Sequence, residues 1–208
     1  MIENLLNIGI KGIFIENMIF AYFLGMCSYL AVSKKIKTAV GLGLAVTFVL
    51  LITIPLNYWI YSYFLKDGAM AWISPDLATQ DFSFLSIIIF IAVIAAFVQL
   101  LEMIIEKVSP SLYNALGIFL PLIAVNCSIL GGALFLPGKD FNNVGEATAY
   151  GLGSGIGWLL AVVALAAIRE GLATSDVPKP LRGLGITFIV VGLMAMGFMS
   201  FMGFKLPF

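Results

Sequence analysis

Two thiols and two carboxylates are the residues of this sequence whose type and setting could do chemistry in an apolar medium. Cys27 lies in YFLGMCSYLAVSKK (22–35) and Cys127 in LGIFLPLIAVNCSILGG (116–132), some 17 and 15 residues into long apolar runs. Two thiolates are half of what an iron–sulfur cluster, or a tetrahedral iron or zinc site, takes. The chain has no histidine, so a metal reading demands a second protein chain that donates the other two thiols. The plainer reading is that each Cys is a small buried hydrophobe. The surroundings of both thiols depart from ordinary lipid-facing sequence. Glu16, Asn17 and Gly25 precede Cys27, while Asn114, Gly117, Pro121, Asn126, Ser128 and the pair Gly131–Gly132 surround Cys127. Pro121 cannot donate its backbone hydrogen bond. Freed backbone at membrane depth is tolerated only where protein or water satisfies it.

Glu102 is the first carboxylate, in FVQLLEMIIEKVSP (97–110), about one helical turn deeper than Glu106 and Lys107. Glu16 sits at the matching depth on the other side. An intramembrane carboxylate is costly, which makes both residues ion-pathway candidates; for Glu102 the alternative is snorkelling or a pair with Lys107. No residue reads as catalytic: there is no Ser/His/Asp set, and no acid pair is placed for hydrolysis. The run GLGSGIG (151–157) lacks the spacing of a nucleotide loop. It holds two interleaved GxxxG pairs, Gly151/Gly155 and Gly153/Gly157, which let helix backbones approach closely. The stripe MGFMSFMGF (196–204) reads as packing or interfacial anchoring.

These residues must be positioned by membrane helices. The chain is 62% hydrophobic with a mean hydropathy of +1.09, and only 11% of it is charged, against roughly 25% for a soluble domain. Net charge is zero, which leaves no basic footprint for nucleic acid. A helix needs about 20 apolar residues to cross the hydrocarbon layer. Six such runs are present, at residues 10–32, 39–62, 84–106, 112–136, 146–168 and 183–204, and the longest polar segment between them is 66–83. The opening Met-Ile-Glu-Asn lacks a basic n-region, so the first run reads as a retained span. Lys34, Lys35, Lys37, Lys107, Arg169, Lys179 and Arg182 fall in the odd links, against Lys11, Lys66, Lys139 and Lys205 on the other side. The bias puts the odd links in the cytoplasm and both termini outside.

An internal echo divides the chain. KTAVGLGL (37–44) and ATAYGLGS (147–154) share Thr, Ala, Gly, Leu and Gly at matched positions, each opening the second span of its half. Each cysteine lies in the first span of its half. The expected fold is therefore all-α, a single transmembrane domain of six helices. It divides into two three-helix repeats, about 10–107 and 112–204, with the first and fourth helices discontinuous. Three is odd, so the second repeat enters from the opposite side, an inverted repeat about an axis in the membrane plane.

FIENM (14–18), FLGMCSYLAVSKK (23–35), LEMI (101–104), YNALGIFLPLIAVNC (113–127), YGLGSGIGW (150–158), AIRE (167–170), SDVP (175–178) and RGLGITFIVVGLMAMGFMSF (182–201) stand together in one register. This set resembles the family of paired D-type and E-type membrane subunits of the bacterial Na⁺-translocating NADH:quinone reductase, with their counterparts in the Rnf complex. At FIENM and GLGITF it sides with the reductase E branch rather than with the A branch of Rnf.

The resemblance implies an inner-membrane component of a translocase. Cys27 and Cys127 would hold a [2Fe-2S] or related iron centre shared with the D-type partner. The A, B, C and F subunits would complete the complex, with FAD, FMN and riboflavin carried by other subunits. Quinone reduction would be coupled to Na⁺ export. The rival readings are an Rnf component with the same electron-relay role, a stand-alone secondary transporter, and a purely structural anchor.

Overall fold

The structure is a computed structural model of the chain, and it describes residues 2–65, 83–108, 119–139 and 141–203. The described residues form helices and turns, with no strand among them. In chain order the helices are α1 (Ile2–Ile10), α2 (Met26–Val32), α3 (Ile36–Ile60), α4 (Ser86–Val108), α5 (Phe119–Ala124), α6 (Cys127–Leu134), α7 (Val144–Leu172) and α8 (Leu184–Met199). Wider π turns prolong α1 over Lys11–Ile15 and α3 over Tyr61–Leu65. The polar segment 66–83 lies almost wholly outside the described residues, as do residues 112–118 of the fourth expected span.

Four stretches are long and apolar enough to cross a membrane: Ile36–Leu65, Ser86–Lys107, Pro121–Gly138 and Val144–Leu172. The apolar helix α8 is shorter, at 16 residues, and ends in a 3₁₀ turn over Ser200–Gly203. The first expected span differs most from the sequence reading. Helix begins at Ile2 rather than near residue 10, and the run is interrupted between Ile15 and Met26. Neighbouring protein supports the early start. Leu5 reaches toward Gly145, and Gly9 lies against Ala149 and Gly153, so the polar residues Glu3 and Asn4 can share a helix whose other face is packed.

The centre of the fold is the pair α3 and α7. Along their contact the order reverses: Gly43 meets Leu159, Thr47 meets Gly155, and Leu50 and Ile54 meet Gly151. The two helices that carry the sequence echo therefore run antiparallel. A methyl on Gly155 would fall 2.7 Å from the Cα of Thr47, and one on Gly151 would fall 2.8 Å from the carbonyl oxygen of Leu50. Backbone lies against backbone there, as the GxxxG spacing predicts. The other pair serves a second neighbour: Gly153 faces Gly9, and Gly157 faces Ile13 and Asn17. Along this contact the order does not reverse, so α1 runs parallel to α7. One helix thus uses four glycines to seat two different partners.

Around this pair the buried core is continuous, with Leu42, Val46, Val49, Leu50 and Ile54 of α3 meeting Tyr150, Trp158, Ala161, Val162 and Leu165 of α7. The flanking helices are more open: α4 exposes Ile87, Ile88 and Ile91, and α8 exposes Leu184, Phe188 and Leu193. That is the expected surface for lipid or neighbouring membrane helices. Gly155→Val should cost about 1–3 kcal/mol through overpacking and lower the thermal stability of the detergent-extracted protein. Gly192→Ala, where an added methyl meets nothing within 4 Å, should leave the melting temperature unchanged.

Candidate metal centre

The interruption of the first span gives Cys27 its place. Asn17, fully buried, organises the break. Its Nδ2 donates to the carbonyl of Ile13 (3.0 Å) and to that of Gly157 on α7 (2.9 Å), and its Oδ1 accepts from the backbone N–H of Ile19 (3.0 Å). One amide side chain therefore satisfies backbone groups on both sides of the break, and ties it to the neighbouring helix. The chain then turns, with Leu24 N donating to Met18 O (2.8 Å) and Phe23 N to Ile19 O (3.0 Å). Phe23 adopts φ 55° and Gly25 φ 78°. Phe23 in the left-handed region is a strained exception.

Gly25 is the N-terminal flank of α2, and Cys27 lies in the helix's first turn. The second break is shorter. Helix α5 ends at Ala124, and Asn126 caps α6 by accepting from Ser128 N (3.0 Å), so Cys127 is the first residue of α6. Each thiol therefore stands at the start of a short helix that follows a break.

The two breaks meet. Ser128 Oγ donates to the carbonyl of Leu24 at 2.7 Å. A methyl on Gly25 would fall 2.2 Å from Ser128 Oγ, 2.8 Å from Asn126 Oδ1 and 3.0 Å from Trp158 Nε1. Only a glycine fits, for its φ and for the space. Trp158 is the central residue of the 29-residue α7, about 21 Å of helix from either end. The junction therefore lies at mid-height of the longest helix. Residues 24–28 and 125–128, which carry the two thiols, adjoin there.

Both cysteines are exposed, and Tyr22, Phe23 and Val125 beside them are exposed as well. Among the described residues no group of three or more His, Cys, Asp or Glu could hold a metal ion. The donor set fits half of a four-thiolate site opening onto the outer face of the chain. The two thiols stand on adjoining segments and both are exposed, which leaves room for further donors from outside the chain.

Neither carboxylate forms an ion pair or hydrogen bond with a described residue of this junction. Glu16 is held by lysines, with Lys11 Nζ at 3.6 Å and the Lys139 ammonium bonded to its other oxygen. Lys139 also lies 4.5 Å from the centroid of the Tyr150 ring. Glu102 is half-buried on α4, and no described residue forms an ion pair with it, Lys107 included. The sequence reading did not single out the Glu16–Lys139 pair or Trp158. The lysine lies 123 residues from its partner, and a tryptophan in an apolar run carries no mark of its level.

A chain with this arrangement is a multi-helix membrane protein built around two broken segments, with a thiol at the start of each second half. Residues 5–205 match the model of the Rnf-Nqr subunits, described as membrane proteins, and the chain belongs to that family. It is 60% identical over 198 residues to the E subunit of the Na(+)-translocating NADH-quinone reductase of Psychrobacter cryohalolentis, covering 95% of this chain and 96% of that one. To the E subunit of the same enzyme from Maridesulfovibrio salexigens it is 58% identical over 204 residues, covering 98% and 100%. To that of Pseudomonas aeruginosa PAO1 it is 56% identical over the same length and shares.

Asn17→Ala should strand the Ile13 carbonyl and the Ile19 N–H at a buried level and remove the tie to Gly157. The cost is about 1–3 kcal/mol for each unsatisfied group, read as a fall in thermal stability. Gly25→Ala should be at least as damaging, while Ser33→Ala, at the far end of α2, should cost less.

Proposed function

We propose that this chain is the E-type membrane subunit of a Na⁺-translocating NADH-quinone reductase. In this reading it spans the bacterial inner membrane six times, with both termini on the periplasmic side. Residues 10–107 and 112–204 form two inverted repeats. Together with the D-type partner, and alongside the A, B, C and F subunits, it serves electron transfer from NADH to quinone coupled to Na⁺ export. Flavins (FAD, FMN and riboflavin) are carried by the other subunits.

The observation that carries the reading is the junction of Gly25 with Asn126 and Ser128, at the level of Trp158. It is supported by 56–60% identity to E subunits of this enzyme over nearly the whole chain. Cys27 and Cys127 each contribute one sulfur donor on adjoining segments, and the D-type partner contributes the remaining two. When bound, an iron–sulfur centre supplies a one-electron stopping point in a layer where an isolated charge is costly to place. The protein's own part is to hold both donors at fixed depth. Asn17 fixes the first break to α7, Asn126 caps the second, and glycine at 25 lets the two close without a side chain between them.

For the ion, Glu102 is the better candidate of the two carboxylates, because no described ammonium neutralises it. At Glu16 a Na⁺ would have to displace Lys139, so this residue suits a gate more than a resting site. The antiparallel course of α3 and α7 supports the inverted-repeat reading, since equivalent helices of such repeats run opposite ways.

Cys27→Ala and Cys127→Ala should each remove iron and acid-labile sulfide from the purified complex and abolish quinone reduction, while the subunits still co-purify. Full activity in either variant would sink the electron-relay role. Purification of the chain without partners or iron would favour a stand-alone transporter. Glu102→Gln should raise the Na⁺ concentration needed for half-maximal turnover severalfold with the iron content intact, measured by Na⁺ titration of quinone reduction.

A further inference from the structure

At the end of α7 remote from Glu16, a cavity of about 190 Å³ opens between that helix and α8. Its lining brings together Arg169, Arg182, Leu172, Val177, Ile186 and Thr187. Two arginines line one volume. Arg169 uses Nη1 on the carbonyl of Leu30 (2.9 Å) and on Ser33 Oγ (2.7 Å). No described carboxylate pairs with either arginine. Of the acids in the same stretch, Glu170 accepts from the backbone N–H of Ile36 (2.9 Å), and Asp176 stands in the exposed link without an ion pair to a described residue.

Arginine does not shed its proton, so two of the residues that line the cavity carry fixed positive charges. Thr187 Oγ1 donates to the Gly183 carbonyl at 2.9 Å, and Gly183 has φ 101°. These set the turn that carries Arg182 to the cavity. The rest of the wall is aliphatic. The volume is far above the roughly 10–15 Å³ that a single water needs.

We propose that this cavity binds the phosphate of an anionic phospholipid headgroup, taken by Arg169 and Arg182, with Leu172, Val177 and Ile186 along the glycerol and first acyl carbons. Guanidinium groups match phosphate oxygens in charge and geometry. This end of the molecule also carries Lys34, Lys35 and Lys37, since Glu170 of α7 reaches the backbone of Ile36 beside them. A basic end of a membrane protein faces the inner leaflet, where headgroups are anionic. The proposal does not depend on the electron-relay reading.

Native mass spectrometry of the membrane-extracted protein, with whatever subunits accompany it, counts retained lipids by headgroup. The wild type should keep phosphatidylglycerol through detergent washing. Arg182→Gln should lose one such lipid per copy of this chain, with retained phosphatidylethanolamine and subunit composition unchanged, and Arg182→Lys should keep part of it. Added inorganic phosphate should leave the count unaltered. The lipid assignment falls if phosphate displaces the lipid, if Arg182→Gln keeps the wild-type count, or if a carboxylate of a partner protein occupies the space between the two guanidinium groups.

Discussion

A helix broken inside a membrane must find partners for the backbone groups it releases, and this requirement governs the rest of the fold. Lipid cannot supply them; protein groups or enclosed water must. Asn17 and Asn126 do, each from within the break. Asn17 bonds four residues back, two residues ahead and across to α7. Asn126 accepts from the N–H of Ser128. The breaks are held open by amide side chains, and the helices that resume after them begin with, or one residue before, a cysteine.

That arrangement needs α7 to come unusually close. A carbonyl of α7 can reach Asn17 only because Gly157 offers no side chain, and Trp158 one residue on can lie beside Gly25. The alternating glycines from 151 to 157 therefore have two jobs on one helix: two press α3 backbone to backbone, and two admit the first segment. Arg169 and Glu170 repeat the principle at the helix end, where a guanidinium takes the carbonyl of Leu30 near the close of α2 and a carboxylate takes the first N–H of α3.

Much of this was legible in the sequence, and the omissions have physical causes. The helical class, the long spans near 39–62, 84–106 and 146–168, and the packing role of the GxxxG pairs follow from hydropathy and glycine spacing, both local properties. The breaks near the cysteines were signalled by Asn, Gly and Pro in apolar runs. The early start of α1 was not, because Glu3 and Asn4 depress hydropathy while Leu5 and Gly9 dock on α7. Nor could the sequence pair Glu16 with Lys139, or set Trp158 at the junction, since those contacts join the two halves of the chain and leave no periodic trace.

The first segment is pinned to α7 at three heights: by Leu5 and Gly9 low on the helix, by Asn17 at its middle, and by Leu30 and Ser33 at its top. Residues 18–29 run between the upper two pins, with Met18, Ile19, Phe20, Ser28 and Tyr29 buried, and this stretch carries Cys27. Its tie there is to Leu24 and Gly25 from the Asn126–Ser128 turn, which carries Cys127. The backbone that carries Cys27 is thereby tied to the backbone that carries Cys127. A shift of one break therefore acts on the other, and the two halves of the chain are coupled where their cysteines stand.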